Sequence, residues 1–285
     1  MKIALVYDRV NKWGGAERVL LALHKLFPDA PLYTSVFNPK TAPWAKIFDL
    51  RTSFLQKFPF ASSAHELYAS LMPIAFESFS FDQYDLVISV TSEAAKGVIT
   101  KPKALHICYC LTPTRYLWSG YKEYFRNPFF SFFSKPAVSY LISWDKIAGQ
   151  RPDVYIAISK EVQGRIKKYY GRESVVVYPP IEISNNQSLR KRHSGERSDS
   201  RISLPQSNER FWTSQNDDKK QNKGYFLIVS RLVPYKRIDI AIKAFNKLKL
   251  PLKIVGIGSE EKRLRSIANS NIQFLGYLTE HELVG

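Results

Sequence analysis

The chain has 285 residues, 45% of them hydrophobic, which is enough for two domains with real cores, and 42 basic against 25 acidic residues give a formal charge of +17. So basic a surface suits an anionic partner: nucleic acid, an anionic membrane face and phosphorylated substrates all satisfy that charge. No apolar run of about 18 residues is present, which excludes an obvious membrane-spanning helix, and MKIALVYDRV meets Asp8 too early for a signal peptide, so the chain is expected to stay in the cytoplasm.

In chain order, apolar runs at Lys2 to Tyr7, Leu32 to Val36, Leu86 to Val90, Ala104 to Cys108 and Val154 to Ile158 predict strands. Helical patterns separate them, which argues for a mostly parallel sheet in a first Rossmann-like domain over residues 1–183. Gly14 and Gly15 follow the first strand and open the first helix, so backbone N–H groups there can approach a phosphate; the same pair also suits an ordinary tight turn. Cys108 and Cys110 lie two apart in a strand, too few for a zinc site and poorly placed for a disulfide, and read as packing residues. His106 reads as a packed strand residue. From Tyr116 to Trp144, aromatic residues interleave with Lys122, Arg126 and Lys135, a content that suits either a membrane interface or helices packed over the domain. Ser159 is placed to cap a helix, and Tyr178-Pro179-Pro180 leads out of the domain.

Residues 184–223 are polar with mixed charge and are expected to be a disordered linker. Their basic cluster Arg190, Lys191 and Arg192 either touches lipid or nucleic acid or is simply solvated. Residues 224–285 then resume with a strand at Tyr225 to Ser230 and a helix marked by Ile238, Ile242, Phe245 and Leu248. A strand at Leu252 to Val255, a helix at Glu260 to Asn269 and a strand at Ile272 to Leu275 follow. Thr279-x-x-Glu282 has the pattern of a capping box with only three residues beyond it, so the second domain is expected to be incomplete, its chain truncated.

The junction YFLIVSRLVPYKRIDIAIKAFNKL carries the chemistry. Strand, turn and helix put Arg231 near the carboxyl end of the strand and Lys236 in the first turn of the helix, with Pro234 tolerated there because its missing N–H costs nothing. Two cations beside a helix N-terminus, outside the carboxyl ends of a parallel sheet, suit an anionic diphosphate.

This segment resembles the second-domain signature of the retaining GT-B glycosyltransferases, in particular the mannosyltransferase-like group of bacterial polysaccharide assembly. WGGAERVLLALHKLFPDAPLYTSVF, HICYCLTPTRYLW, WDKIAGQRPDVYIAISKEVQGRIKKYYGRESVVVYPPI and LKIVGIGSEEKRL extend the likeness in order along the chain. The resemblance implies a GT-B α/β fold of two Rossmann-like domains with parallel sheets, the second incomplete, on the acceptor and donor sides respectively. It implies that Arg231 and Lys236 bind the donor diphosphate, with Gly14 and Gly15 facing the same phosphates across the interdomain cleft and Gly256 and Gly258 forming the glycine turn beside the nucleotide. Glu17 and Arg115 are acceptor-side candidates.

The reaction it implies is transfer of a hexose with retention from a nucleoside-diphosphate sugar, GDP-mannose being the candidate, to a lipid-linked or saccharide acceptor at the inner membrane face. Arg231, Lys236 and the Gly14 and Gly15 amides would stabilise the charge that grows on the leaving diphosphate. No Asp-x-Asp metal signature is present, so no metal and no other cofactor is expected, and no recognition motif supports nucleic acid. Two departures stand out. Relatives commonly carry a histidine where this chain has Leu111, and the family's paired-glutamate segment is absent. A second reading follows from them: a catalytically impaired fragment that serves as a lipid- or partner-binding subunit.

Overall fold

In a computed structural model of the chain, residues 1–124, 128–180, 224–278 and 282 are described. The expected linker with its basic cluster, the capping pattern at Thr279 and most side chains of the aromatic run between Tyr124 and Phe133 lie outside them. The chain divides into two compact units, Met1–Gly195 and Glu196–Gly285.

The first unit begins with β1 (Ile3–Tyr7), α1 (Gly15–Leu26), β2 (Leu32–Thr34), β3 (Leu50–Thr52) and α2 (Met72–Glu77). It continues with β4 (Leu86–Thr91), β5 (Leu105–Cys110), α3 (Tyr121–Tyr124), α4 (Pro128–Ala148), β6 (Val154–Ala157), α5 (Lys160–Tyr170) and β7 (Val175–Val176). The strands pair in parallel in the order β3-β2-β1-β4-β5-β6-β7. Side chains of a strand alternate between faces, and β1 shows why this sheet must be covered on both. Ala4 and Val6 join a core with Phe76, Phe81 and Val87, while Leu5 and Tyr7 join another with Leu20, Leu32 and Ile88. Each fully buried residue such as Leu5 or Leu20 contributes about 1.5–3 kcal/mol.

The predicted strands are present with small shifts of boundary, and β3 is an addition. Its sequence, LRT, is short and only partly buried, so no apolar run announces it. Ser159 caps α5, its Oγ accepting from the Val162 N–H at 3.2 Å, and Gly171 ends that helix at a φ of 67°, where a side chain would be strained. Both cysteines are buried, free thiols. His106 is fully buried in β5, with Nε2 2.8 Å from Ser89 Oγ.

The second unit contains β8 (Phe226–Val229), α6 (Ile238–Leu248), β9 (Leu252–Val255), α7 (Glu261–Ser266) and β10 (Ile272–Gly276). Its sheet is parallel, in the order β10-β9-β8. Leu232, Ile242, Leu252, Ile254 and Leu264 form its core. The helix expected over Glu260 to Asn269 is shorter, because Ile267 already leaves it as the C-cap.

A buried ion pair pins the loops after β4 and β5 to α4. Lys96 Nζ donates to Asp145 Oδ1 at 2.6 Å, with both side chains 1% exposed. Asp145 also accepts from Thr114 Oγ1 at 2.7 Å, Trp118 Nε1 at 2.7 Å and Tyr170 Oη at 2.8 Å. Burial works against the Lys96 charge, yet Asp145 beside it lifts its pKa above the ordinary lysine value. Lys96→Met would strand the Asp145 carboxylate, and a loss of about 3–5 kcal/mol is expected in urea unfolding.

His106 supplies a second test. Burial is the largest cause of its pKa being pushed down to about 4 from 6.5. The unfolded chain therefore takes up a proton near pH 6.5 that the folded chain refuses until about pH 4. Stability falls as pH drops through that window, by about 3 kcal/mol from this group. His106→Gln is expected to flatten this part of the pH dependence when unfolding is compared at about pH 7 and about pH 4.5.

Candidate functional site

Arg231 and Lys236 lie where the loop after β8 leaves the sheet, both exposed. Lys236 does not occupy the first turn of the helix as its sequence predicts. Pro234–Lys236 forms a separate 3₁₀ turn, and Arg237, at a φ of 51°, breaks the chain before α6 begins at Ile238. The proline preorganises this short turn instead of the long helix, which sets Lys236 ahead of the helix end.

The two cations gather about a residue the sequence reading passed over. Arg231 Nη2 donates to the Tyr235 hydroxyl at 2.5 Å, and Lys236 Nζ stands 5.9 Å from the Tyr235 ring centre. Tyr235 is 39% exposed, and its single signal in the sequence is its place between the two cations. Arg237 is a different case: its guanidinium forks onto both carboxylate oxygens of Asp239, at 3.1 and 3.3 Å. Among the described residues, Arg231 and Lys236 are thus the cations of this loop that no carboxylate pairs.

Gly256 and Gly258 hold the loop in place rather than merely turning the chain. Gly256 has a φ of 135°, and a Cβ on it would run into the Ser230 carbonyl; a Cβ on Gly258 would run into the Leu232 carbonyl. The two loops close together through backbone bonds: Ser230 N–H to Val255 O at 2.9 Å, Leu232 N–H to Ile257 O at 3.0 Å and Glu260 N–H to Leu232 O at 3.0 Å. Only glycine permits backbone to approach backbone so closely on either side of Arg231.

In the first unit, Gly14 is the N-cap of α1, with extended backbone, and Gly15 opens the helix into free space. Glu17 folds back against Gly14, its Oε2 3.1 Å from where a Cβ on that glycine would stand. It is 2% exposed and accepts the Tyr7 hydroxyl at 2.8 Å. Burial, reinforced by Glu17, holds the Tyr7 hydroxyl well above the usual tyrosine pKa. Arg115 sits in the turn after β5, its carbonyl accepting from Gly120 N–H at 2.8 Å. Leu111 packs against the apolar cluster around β1 and α1.

Sequence reading missed the polar cluster at the carboxyl ends of β1 and β4. Asp8, 2% exposed, accepts from Thr91 Oγ1 at 2.9 Å, Ser92 N–H at 2.6 Å, Ser92 Oγ at 3.2 Å, Glu93 N–H at 3.0 Å and Ala95 N–H at 2.8 Å. Next to it, Arg9 and Glu93 pair at 2.5 Å. Burial raises the Glu93 carboxyl above its ordinary value, against the pull of Arg9. Single charged residues just past two predicted strands were the available signal. Among the described residues, no group of three or more His, Cys, Asp and Glu side chains is placed to hold a metal ion, and no helix is long and apolar enough to cross a membrane.

Residues 210–284 match the family described as Glycosyl transferases group 1. No curated protein sequence matches the chain. Among solved structures, the chain is similar to Anabaena HepE in complex with UDP, with 18% identity and a TM-score of 0.55 over 100% of this chain and 71% of that one. It is also similar to a variant of S. aureus TarM in complex with fondaparinux, α-GlcNAc-glycerol and UDP, with 10% identity and a TM-score of 0.51 over 98% of this chain and 78% of that one. At these identities the likeness is one of fold, and the fold is α/β with two Rossmann-like units of the GT-B kind. The segment that carries Arg231, Lys236, Gly256 and Gly258 falls inside the group 1 glycosyltransferase match.

Gly258→Ala is expected to force the Leu232 carbonyl aside and cost about 1–3 kcal/mol, read as a lower unfolding midpoint of the second unit. Gly15→Ala, with nothing within 4 Å of the added methyl, is expected to change stability by less than about 0.5 kcal/mol.

Proposed function

We propose that the chain acts in hexosyl transfer from a nucleoside-diphosphate sugar to a saccharide or lipid-linked acceptor, with retention at the anomeric carbon and without a metal. The observation that carries this reading is the pair of exposed cations, Arg231 and Lys236, gathered about Tyr235 on a loop that Gly256 and Gly258 lock at the carboxyl end of a parallel sheet. Ligands of such sheets lie outside the strand ends, and a diphosphate is the ligand that two fixed cations favour there.

The chemistry follows from charge. As the bond between the anomeric carbon and the diphosphate oxygen breaks, negative charge grows on the diphosphate while the sugar becomes oxocarbenium-like. Cations already in place stabilise that separation without having to reorganise, and losing one such group costs about 3–4 kcal/mol, a factor of 100 to 1,000 in rate. HepE and TarM were both solved with UDP, which supports a nucleoside diphosphate as the ligand class. GDP-mannose is the donor we favour from the sequence resemblance, and an acceptor at the inner membrane face would suit the +17 charge of the chain. The competing reading, a binding subunit without turnover, rests on Leu111, an apolar side chain that can neither donate nor accept a proton.

The test is calorimetric titration of the full chain with GDP-mannose, UDP-glucose, GDP and UDP. Saturable binding is expected for at least one nucleotide and its sugar. Arg231→Ala/Lys236→Ala is expected to weaken it at least about tenfold, since each charged hydrogen bond contributes about 1.5–3 kcal/mol. Binding that the double variant leaves intact, or no binding by a folded chain, would overturn the assignment. Binding without release of nucleoside diphosphate in the presence of membranes and saccharide acceptors would favour the binding subunit.

A further inference from the structure

At the amino ends of the strands of the first sheet, the surface opens into a cavity of about 520 Å³. Its walls come from the start of β1, the loop between α1 and β2, the start of β3 and the residues just ahead of β4. The length of β1 puts roughly 15 Å between this cavity and the carboxyl ends, where ligands of open α/β sheets bind. Its volume falls in the range of about 300–1,000 Å³ usual for small-molecule sites.

Arg51, from the edge strand β3, lines this cavity and is fixed there from several sides. Its Nη1 donates to Tyr33 Oη at 2.9 Å and to Tyr84 Oη at 3.3 Å, and its Nη2 and Nε donate to Asp49 Oδ2 at 3.0 and 3.3 Å. The two tyrosine hydroxyls stand 3.0 Å apart, and Gln83 Nε2 donates to Tyr84 Oη at 3.1 Å. These donors outnumber their acceptors. Arg51 and Gln83 only donate to the pair, and one hydroxyl hydrogen serves the other oxygen, so the second hydroxyl hydrogen has no acceptor among the described residues. Tyr33 and Tyr84 are 5% and 8% exposed, and Tyr84 is the one that lines the cavity. A buried donor left over favours a ligand that brings it an acceptor.

The lining is balanced in charge, with Lys2 and Arg51 against Asp29 and Asp49. An anion would accept from Tyr84 but meet two carboxylates, a cation would meet Lys2 and Arg51, and an apolar molecule would leave the tyrosine hydrogen unserved. A neutral molecule with several hydroxyls accepts from Tyr84 and donates to Asp49, whose Oδ1 is not used by Arg51. Ile3, Phe27 and Pro31 add apolar wall that suits the C–H faces of a sugar ring. We propose that this cavity is a saccharide-binding site at the opposite end of the first sheet from the strand-end loops, with Tyr84, Arg51 and Asp49 as its binding residues. The choice of a saccharide among polyols rests on the reading of the chain as a sugar transferase. The site takes no part in the bond that breaks and needs no nucleotide.

The experiment is titration of the full ¹⁵N-labelled chain with glucose, glucuronate and glucosamine at millimolar concentration, three sugars of similar shape and different charge, run beside the nucleotide titration. Saturable amide shifts within residues 27–30, 49–51 and 83–84 are expected with glucose, and weaker binding with either charged sugar. Tyr84→Phe keeps the ring and removes the hydroxyl, and should weaken glucose binding about two- to tenfold while the rest of the spectrum stays that of the wild type. Asp29→Asn/Asp49→Asn changes two exposed residues and leaves the cavity net positive. It should turn the preference from glucose to glucuronate, a reversal that loss of structure cannot produce. No saturable shifts at these residues in a folded chain, undiminished binding by Tyr84→Phe, a charged sugar preferred by the wild type, or no reversal in the double variant each contradicts the proposal. Nucleotide binding with no saccharide at this cavity sinks this inference alone; saccharide binding here without nucleotide binding sinks the donor reading alone.

Discussion

The carboxylate of Asp8 sets the geometry of the first unit at the place where its sheet changes direction. It gathers N–H and O–H donors from Thr91 to Ala95, while its carbonyl accepts from Ser35 N–H at 3.3 Å. The ends of β1, β2 and β4 are tied through this single residue. A buried carboxylate is tolerated only when it is richly hydrogen-bonded, and this one is. The Arg9–Glu93 pair beside it owes its position to that anchoring, because both residues are chain neighbours of groups that Asp8 fixes.

The second unit solves a similar problem with backbone alone. Gly256 and Gly258 let the loop after β9 lie directly on the carbonyls of Ser230 and Leu232. Three N–H to carbonyl bonds then hold the loop that carries Arg231. Cations on a loop fixed from below do not need to be ordered when an anion arrives, so less of the binding free energy is lost to freezing them. The same strand-end loops therefore serve fold and chemistry together, and the glycines that look like ordinary turns in sequence are required by contact.

Much of this was legible in the amino-acid sequence, and the reasons are physical. The runs IALVY and LVISVT are continuous and apolar because parallel strands are buried on both faces, so period and composition reveal them. The short strand Leu50–Thr52 was hidden because LRT is partly buried and has a charge at its centre. Arg231 and Lys236 were found from strand-turn-helix spacing, but the 3₁₀ turn at Pro234 was not, since a proline serves the start of either kind of helix equally well. Asp8, Arg9 and Glu93 escaped notice because Glu93 lies more than 80 residues from the other two and meets them only through the pairing of β1 with β4. Glu17 drew attention through its neighbours Gly14 and Gly15, yet its carboxylate is bound to Tyr7.

The central claim is that the loop from Ser230 to Arg237 holds the diphosphate of a nucleotide sugar. Amide chemical-shift mapping of the ¹⁵N-labelled chain on addition of GDP or UDP tests it most directly, because it reports where the ligand sits. The account predicts saturable shifts centred on residues 230–237 and on 256–260, where Gly256 and Gly258 pack beneath that loop. Shifts confined to other parts of the chain, or none at all for a folded chain at saturating nucleotide, would contradict it.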